Sequence, residues 1–152
     1  MNLPDSFRRY GTTVFSRNPE IVHVWSLEPN RCELSIPARS ENGFDIRFEI
    51  DLNAVTLYWG NWHTRFESTD RLVEDLFGLL RDMLSPDMRV RELCANSNPY
   101  RGFLESYDGS RWSTEYEMGL IFWNYFGKRS VRTYSNTILP GRLSKANLGS
   151  AP

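Results

Sequence analysis

Residues 54–84 constrain the fold more than any other stretch of the chain. Two apolar-rich runs, Val55–Trp59 and Trp62–Phe66, are separated only by Gly60-Asn61 and lead directly into an amphipathic segment. A two-residue loop with glycine first suits a type II′ turn, whose twist matches that of the flanking strands. With that loop, Trp59 faces Trp62, Leu57 faces Thr64 and Val55 faces Phe66 on one side of the ribbon. Tyr58 faces His63, and Thr56 faces Arg65, on the other. The first side is apolar apart from one threonine and calls for burial. Aromatic cross-strand pairs contribute about 0.2–1 kcal/mol, so the tryptophan pair fixes the register.

The segment after the hairpin reads as a helix. Ser68-Thr69-Asp70 supplies an N-cap, and Arg71 to Leu84 carries apolar residues at Leu72, Val73, Leu76, Phe77, Leu79, Leu80, Met83 and Leu84. That spacing makes one broad buried stripe. Arg71, Glu74, Asp75, Arg81 and Asp82 fall opposite, and Ser85-Pro86 ends the helix.

On either side the pattern is that of strands. Ile21–Leu27 turns through Glu28-Pro29-Asn30 into Arg31–Ile36, and Phe44–Leu52 alternates apolar with charged residues throughout. Such alternation marks a half-solvated antiparallel strand. Beyond the helix, Met88–Ala95 sets Met88, Val90, Glu92 and Cys94 against Arg89, Arg91 and Leu93. Tyr100–Tyr107 and Arg111–Glu117 flank Asp108-Gly109, a strong hairpin signal. Leu120–Phe126 is apolar and aromatic on both strand faces, and Gly127-Lys128 turns it back into Ser130–Ser135. The N-terminal residues 1–19 fit either a short helix from Pro4 to Tyr10 or an edge strand at Thr12–Phe15. Strands, helix, strands, with short connections and no βαβ alternation, predict an α+β fold: an antiparallel β meander packed on one principal amphipathic helix. One domain is expected over 1–137, with 138–152 as a loosely attached basic tail.

Composition narrows the function classes. The 152 residues suffice for a sizeable core, and 40% hydrophobic with 24% charged content is that of a soluble globular protein. The net charge of −1 hides an asymmetry, because no acidic residue follows Phe126 while Lys128, Arg129, Arg132, Arg142 and Lys145 do. The five charges argue only weakly for nucleic acid, since Tyr134 is the one aromatic residue among them. Cys32 and Cys94 stand alone in apolar strands, which predicts buried, reduced thiols rather than a metal knuckle or a disulfide framework. With no apolar h-region and no run near the ~20 residues of a membrane span, a cytoplasmic protein is expected.

The chain has no GxxxxGK[ST], GxGxxG, GxSxG or HExxH, and so no cofactor or metal is expected. His63 is the better placed of the two histidines for chemistry. It lies beside Tyr58 and Arg65 on the polar side of the hairpin, with Glu67 and Asp70 close in sequence, and a histidine near a carboxylate can act as a general base. His63, Glu67 and Asp70 are therefore the catalytic candidates, set against the plainer reading of a surface histidine stacked on Tyr58. His23 reads as a half-buried histidine with its hydrogen bonds made.

Trp59-Gly60-Asn61-Trp62-His63, followed by Phe66 and the helix, resembles a group of small bacterial proteins of unassigned activity. They carry a WGxWHxHF-type hairpin before a helix, and Arg65 stands at the second histidine position. The resemblance implies an accessory or immunity-type binding protein and no reaction. The expected function is accordingly to bind another protein or a second copy, with a small hydrolase or transferase using His63 as the alternative. Trp123 and Tyr125 are the candidate partner-binding residues, because one helix cannot cover both faces of their strand and large exposed apolar patches mark interaction sites.

Overall fold

The hairpin and helix form with the expected register in the computed structural model of the chain, which describes residues 1–120 and 127–142. Among the described residues there are two helices, α1 (Leu3–Arg17) and α2 (Leu72–Met83), and nine strands. The strands before α2 are β1 (Val24–Glu28), β2 (Arg31–Ile36), β3 (Ile46–Ile50), β4 (Ala54–Trp59) and β5 (Trp62–Glu67). Those after it are β6 (Met88–Ala95), β7 (Asn98–Tyr107), β8 (Trp112–Gly119) and β9 (Arg129–Tyr134). All pairings are antiparallel, in two sheets ordered β1-β2-β3-β4-β5 and β8-β7-β6-β9. The fold is α+β. Two compact units divide it: Met1–Arg39 with Asp45–Arg81, and Ser40–Phe44 with Asp82–Pro152.

In the first unit the five strands form a simple meander. Trp59 pairs with Trp62, Tyr58 with His63 and Val55 with Phe66. Gly60 has φ 69°, the sign required of the first loop residue in a type II′ turn, and its N–H donates to Asp45 O at 2.8 Å. Trp59 and Trp62 are buried, their ring centroids 6.3 Å apart. Leu34, Ile46, Phe48, Ile50 and Leu57 complete the buried sheet face.

The N-terminal segment is one continuous helix, so the edge strand at Thr12–Phe15 does not form, and the described residues hold two helices rather than one principal one. Asn2 caps it, its Oδ1 accepting from Asp5 N at 2.9 Å. Thr12, Thr13 and Val14 favour a strand locally. The helix holds nonetheless, because Phe7, Gly11 and Phe15 are buried in a line at i, i+4 and i+8. The Thr12 and Thr13 hydroxyls donate back to Arg8 O and Arg9 O at 2.9 and 3.3 Å, a bond that lets threonine sit inside a helix. Phe7 meets Phe48 of the sheet (5.3 Å) and Phe77 of α2 (4.7 Å). One sheet and two helices thus share this residue.

Gly11 lies where α1 passes closest to its neighbours. A Cβ there would come 2.7 Å from the Trp25 ring and 3.0 Å from Phe77. Alanine is the better helix former by about 1 kcal/mol, but overpacking costs about 1–3 kcal/mol, and Trp25 is held between Phe7 and Phe15. Gly11→Ala is therefore expected to lower stability in a denaturant titration. A gain would mean the Trp25 ring swings aside without cost.

In the second unit β6 follows the expected alternation, with Met88, Val90, Glu92 and Cys94 buried. Asn136 ties the strands to the incoming chain. Its Nδ2 donates to Phe44 O (3.2 Å) and Met83 O (3.1 Å), and its Oδ1 accepts from Phe44 N (3.2 Å). Residues 138–142, the described start of the basic tail, are held as well. Ile138 N and Leu139 N donate to Leu84 O, and Arg142 N donates to Asp87 Oδ2.

Candidate functional site

The outer face of the first sheet carries the catalytic candidates. Strand alternation turns Glu33, Arg47, Glu49, Tyr58, His63 and Arg65 to this side, and they form a ladder of charges. Arg47 pairs with both Glu33 and Glu49, and its guanidinium lies 3.9 Å from the centre of the Tyr58 ring. Tyr58 Oη donates to Glu49 Oε2 at 3.3 Å. His63 is exposed and tilted against Tyr58, with ring centroids 5.5 Å apart.

Glu67, one of the two carboxylates considered with His63, ends β5, and Asp70 lies just before α2. The Glu67 carboxylate accepts from Arg65 Nε at 3.2 Å, and both Glu67 and Asp70 are exposed. A general base must lie within hydrogen-bond reach of the proton it takes. Glu67 is oriented toward arginine, and the setting is open to solvent. Among the described residues no cluster of three or more His, Cys, Asp or Glu side chains could hold a metal ion. His23 is stacked on Phe15 at 4.0 Å and contacts Ile21 O through Nδ1 at 3.0 Å, the half-buried setting expected of it.

The two cysteines are free and buried. Burial pushes the Cys32 thiol up to about 11 from its ordinary 9.0, and its Sγ approaches Pro4 O at 3.6 Å. The unfolded thiol ionises first, so the protonated thiol's contribution to stability is whole below pH 9 and is lost as the pH rises through about 11. A denaturation midpoint that falls over this window, and falls less in Cys32→Ala, is expected. An unchanged slope in the variant would place the titration elsewhere.

The second sheet presents a face that the sequence pattern revealed only in part. Arg89 and Arg91 alternate outward on β6 as expected, and both donate to Glu105, through Nε at 2.8 and 3.1 Å. Glu105 is itself only 5% exposed. Arg89 lies over Trp112 (4.1 Å), and Arg91 over Phe103 (4.2 Å). A register shift between Leu104 and Glu105 sets where β8 meets this face, and nothing in the residue alternation announces such a bulge. A carboxylate gripped by two arginines stacked on rings is already satisfied, which makes it a structural brace.

The edge of the same sheet is different. Arg129, Ser130, Val131, Arg132 and Thr133 of β9 are all exposed, with no acidic side chain among them and Lys128 just before. Trp123 and Tyr125, the partner-binding candidates, lie outside the described residues. No helix among the described residues is long and apolar enough to cross a membrane. Comparison of the chain with protein-family models, with curated proteins and with solved structures finds no match to any of them.

Proposed function

We propose that this chain is a bacterial, cytoplasmic protein-binding module of accessory or immunity type, acting through its second unit. The observation that carries the reading is β9, a six-residue strand exposed along nearly its whole length, with cations on both faces and an apolar side chain between them. A strand that neither buries core nor carries chemistry is explained by a partner. Trp123 and Tyr125 precede it in the chain and supply the ring types most often found as interface anchors. The open charge ladder around His63 favours no reaction.

Trp123→Ala tests the reading. Association, measured by sedimentation of the chain with itself and with proteins of its host, is expected to be lost while the unfolding free energy stays within about 0.5 kcal/mol of the parent. A loss of about 3 kcal/mol or more would mark Trp123 as ordinary core and sink its role. His63→Ala is the companion. Turnover of an ester, phosphoester or peptide that disappears in this variant would replace the binding reading with an enzymatic one.

A further inference from the structure

We propose that the outer edge of β9 binds an extended acidic segment of a partner protein by strand addition. The inference rests on the protein-binding reading and names the chemistry of the ligand. Among the described residues β9 ends its sheet, so one edge of the strand faces away from β6.

The hydrogen-bond pattern says which residues present that edge. Asn96 N donates to Lys128 O at 2.9 Å, and the register places Ala95 opposite Arg129 and Leu93 opposite Val131. In an antiparallel ladder, pairs that exchange hydrogen bonds alternate with pairs that do not. Residues 128, 130, 132 and 134 therefore spend their backbone groups on β6. Arg129, Val131 and Thr133 turn theirs outward. At the next odd position the chain already uses this direction, since Ser135 N donates to Asn42 O at 2.9 Å. The outward N–H and C=O of Val131 and Thr133 are thus a template for one more strand.

The side chains choose the occupant. Lys128 and Arg132 share one face of the strand, and Arg129, Val131 and Thr133 share the other. An added strand that alternates carboxylates with small apolar residues puts its charges beside Lys128 and Arg132 and its apolar side chains beside Val131. Arg132 gives one N–H to Ser97 O (3.1 Å) and has further donors for a carboxylate. Single-stranded nucleic acid fits less well, because such sites rely on open aromatic platforms. The Tyr100 ring lies beneath the Arg129 guanidinium at 5.3 Å.

The test is fluorescence anisotropy of the full chain with a labelled peptide of alternating glutamate and valine. Binding that weakens as salt is added is expected, with none for the lysine–valine counterpart. The same peptide N-methylated on the amides that face β9 keeps its charge and loses strand addition. It should bind about tenfold or more weakly, as the loss of one to two hydrogen bonds implies. Val131→Pro removes an outward N–H and no rung to β6, and a comparable loss is expected with the circular dichroism unchanged. The methylated peptide keeps the proposal testable even if that variant misfolds. Equal binding of both acidic peptides, or tighter binding of an oligothymidylate indifferent to Val131→Pro, would overturn it in favour of charge attraction alone. Absence of peptide binding while the Trp123-dependent complex persists would overturn the edge proposal and leave the protein-binding reading standing.

Discussion

Replacing Phe7 with alanine is expected to lower the unfolding free energy by about 3–5 kcal/mol, the usual cost of emptying a buried aromatic site. Phe7 has no exposed surface, and its ring touches Trp25 of β1, Phe48 of β3 and Phe77 of α2. No single element can move in to fill the space without leaving the other two. A typical domain is stable by about 5–15 kcal/mol, so the variant should sit near the edge of folding at room temperature. Tyr10→Ala provides the contrast. Tyr10 meets the same Phe77 at 5.0 Å but is 39% exposed, so its removal should cost markedly less. Equal losses in guanidinium titrations of the two variants would show that α1 is not anchored through Phe7.

Trp59→Ala should have an effect of the same size, about 3–5 kcal/mol, for a different reason. Trp59 is fully buried, packs on Trp62 and donates from Nε1 to Thr64 Oγ1 at 3.2 Å. Its loss removes the cross-strand pair that sets the hairpin register as well as core volume. Trp59→Phe retains most of the buried area and gives up the hydrogen bond to a half-buried hydroxyl, worth about 1 kcal/mol. A drop below about 1 kcal/mol for Trp59→Ala would show that β4 and β5 are held by their backbone ladder rather than by the tryptophans.

These residues also show how far the chain could be read from its letters. The hairpin was legible because Gly60-Asn61 determines the loop length, and a period of two then assigns every side chain to a face. The burial of Trp59, Trp62, Leu57 and Val55 and the exposure of His63 and Arg65 follow from that count. The strands Arg31–Ile36 and Met88–Ala95 were legible to the residue for the same reason. The full length of α1 was not, since a short helix from Pro4 to Tyr10 is only one of two readings of this segment. Its Thr12-Thr13-Val14 run carries strand propensity, and only four buried residues, Pro4, Phe7, Gly11 and Phe15, mark its inner face. What decides the conformation is packing on Trp25, Phe48 and Phe77, which no local pattern contains.

The candidate site divides in the same way. The outward sides of Arg89 and Arg91 came from alternation. Their shared grip on Glu105 depends on how β6 and β7 align, and the place of β8 depends on a bulge. That β9 ends its sheet among the described residues is a property of strand order, since β9 pairs with β6 rather than with β8, the strand described before it. Sequence supplied the basic residues of β9; topology made them an edge.

Native mass spectrometry of the protein purified from its own host distinguishes a chain that binds a protein from one that turns over a substrate. The parent chain and His63→Ala are expected to carry the same protein partner in fixed stoichiometry, and Trp123→Ala to emerge without it. A parent chain that emerges alone, together with an activity that vanishes in His63→Ala, would mean that the protein is an enzyme and not a protein-binding module.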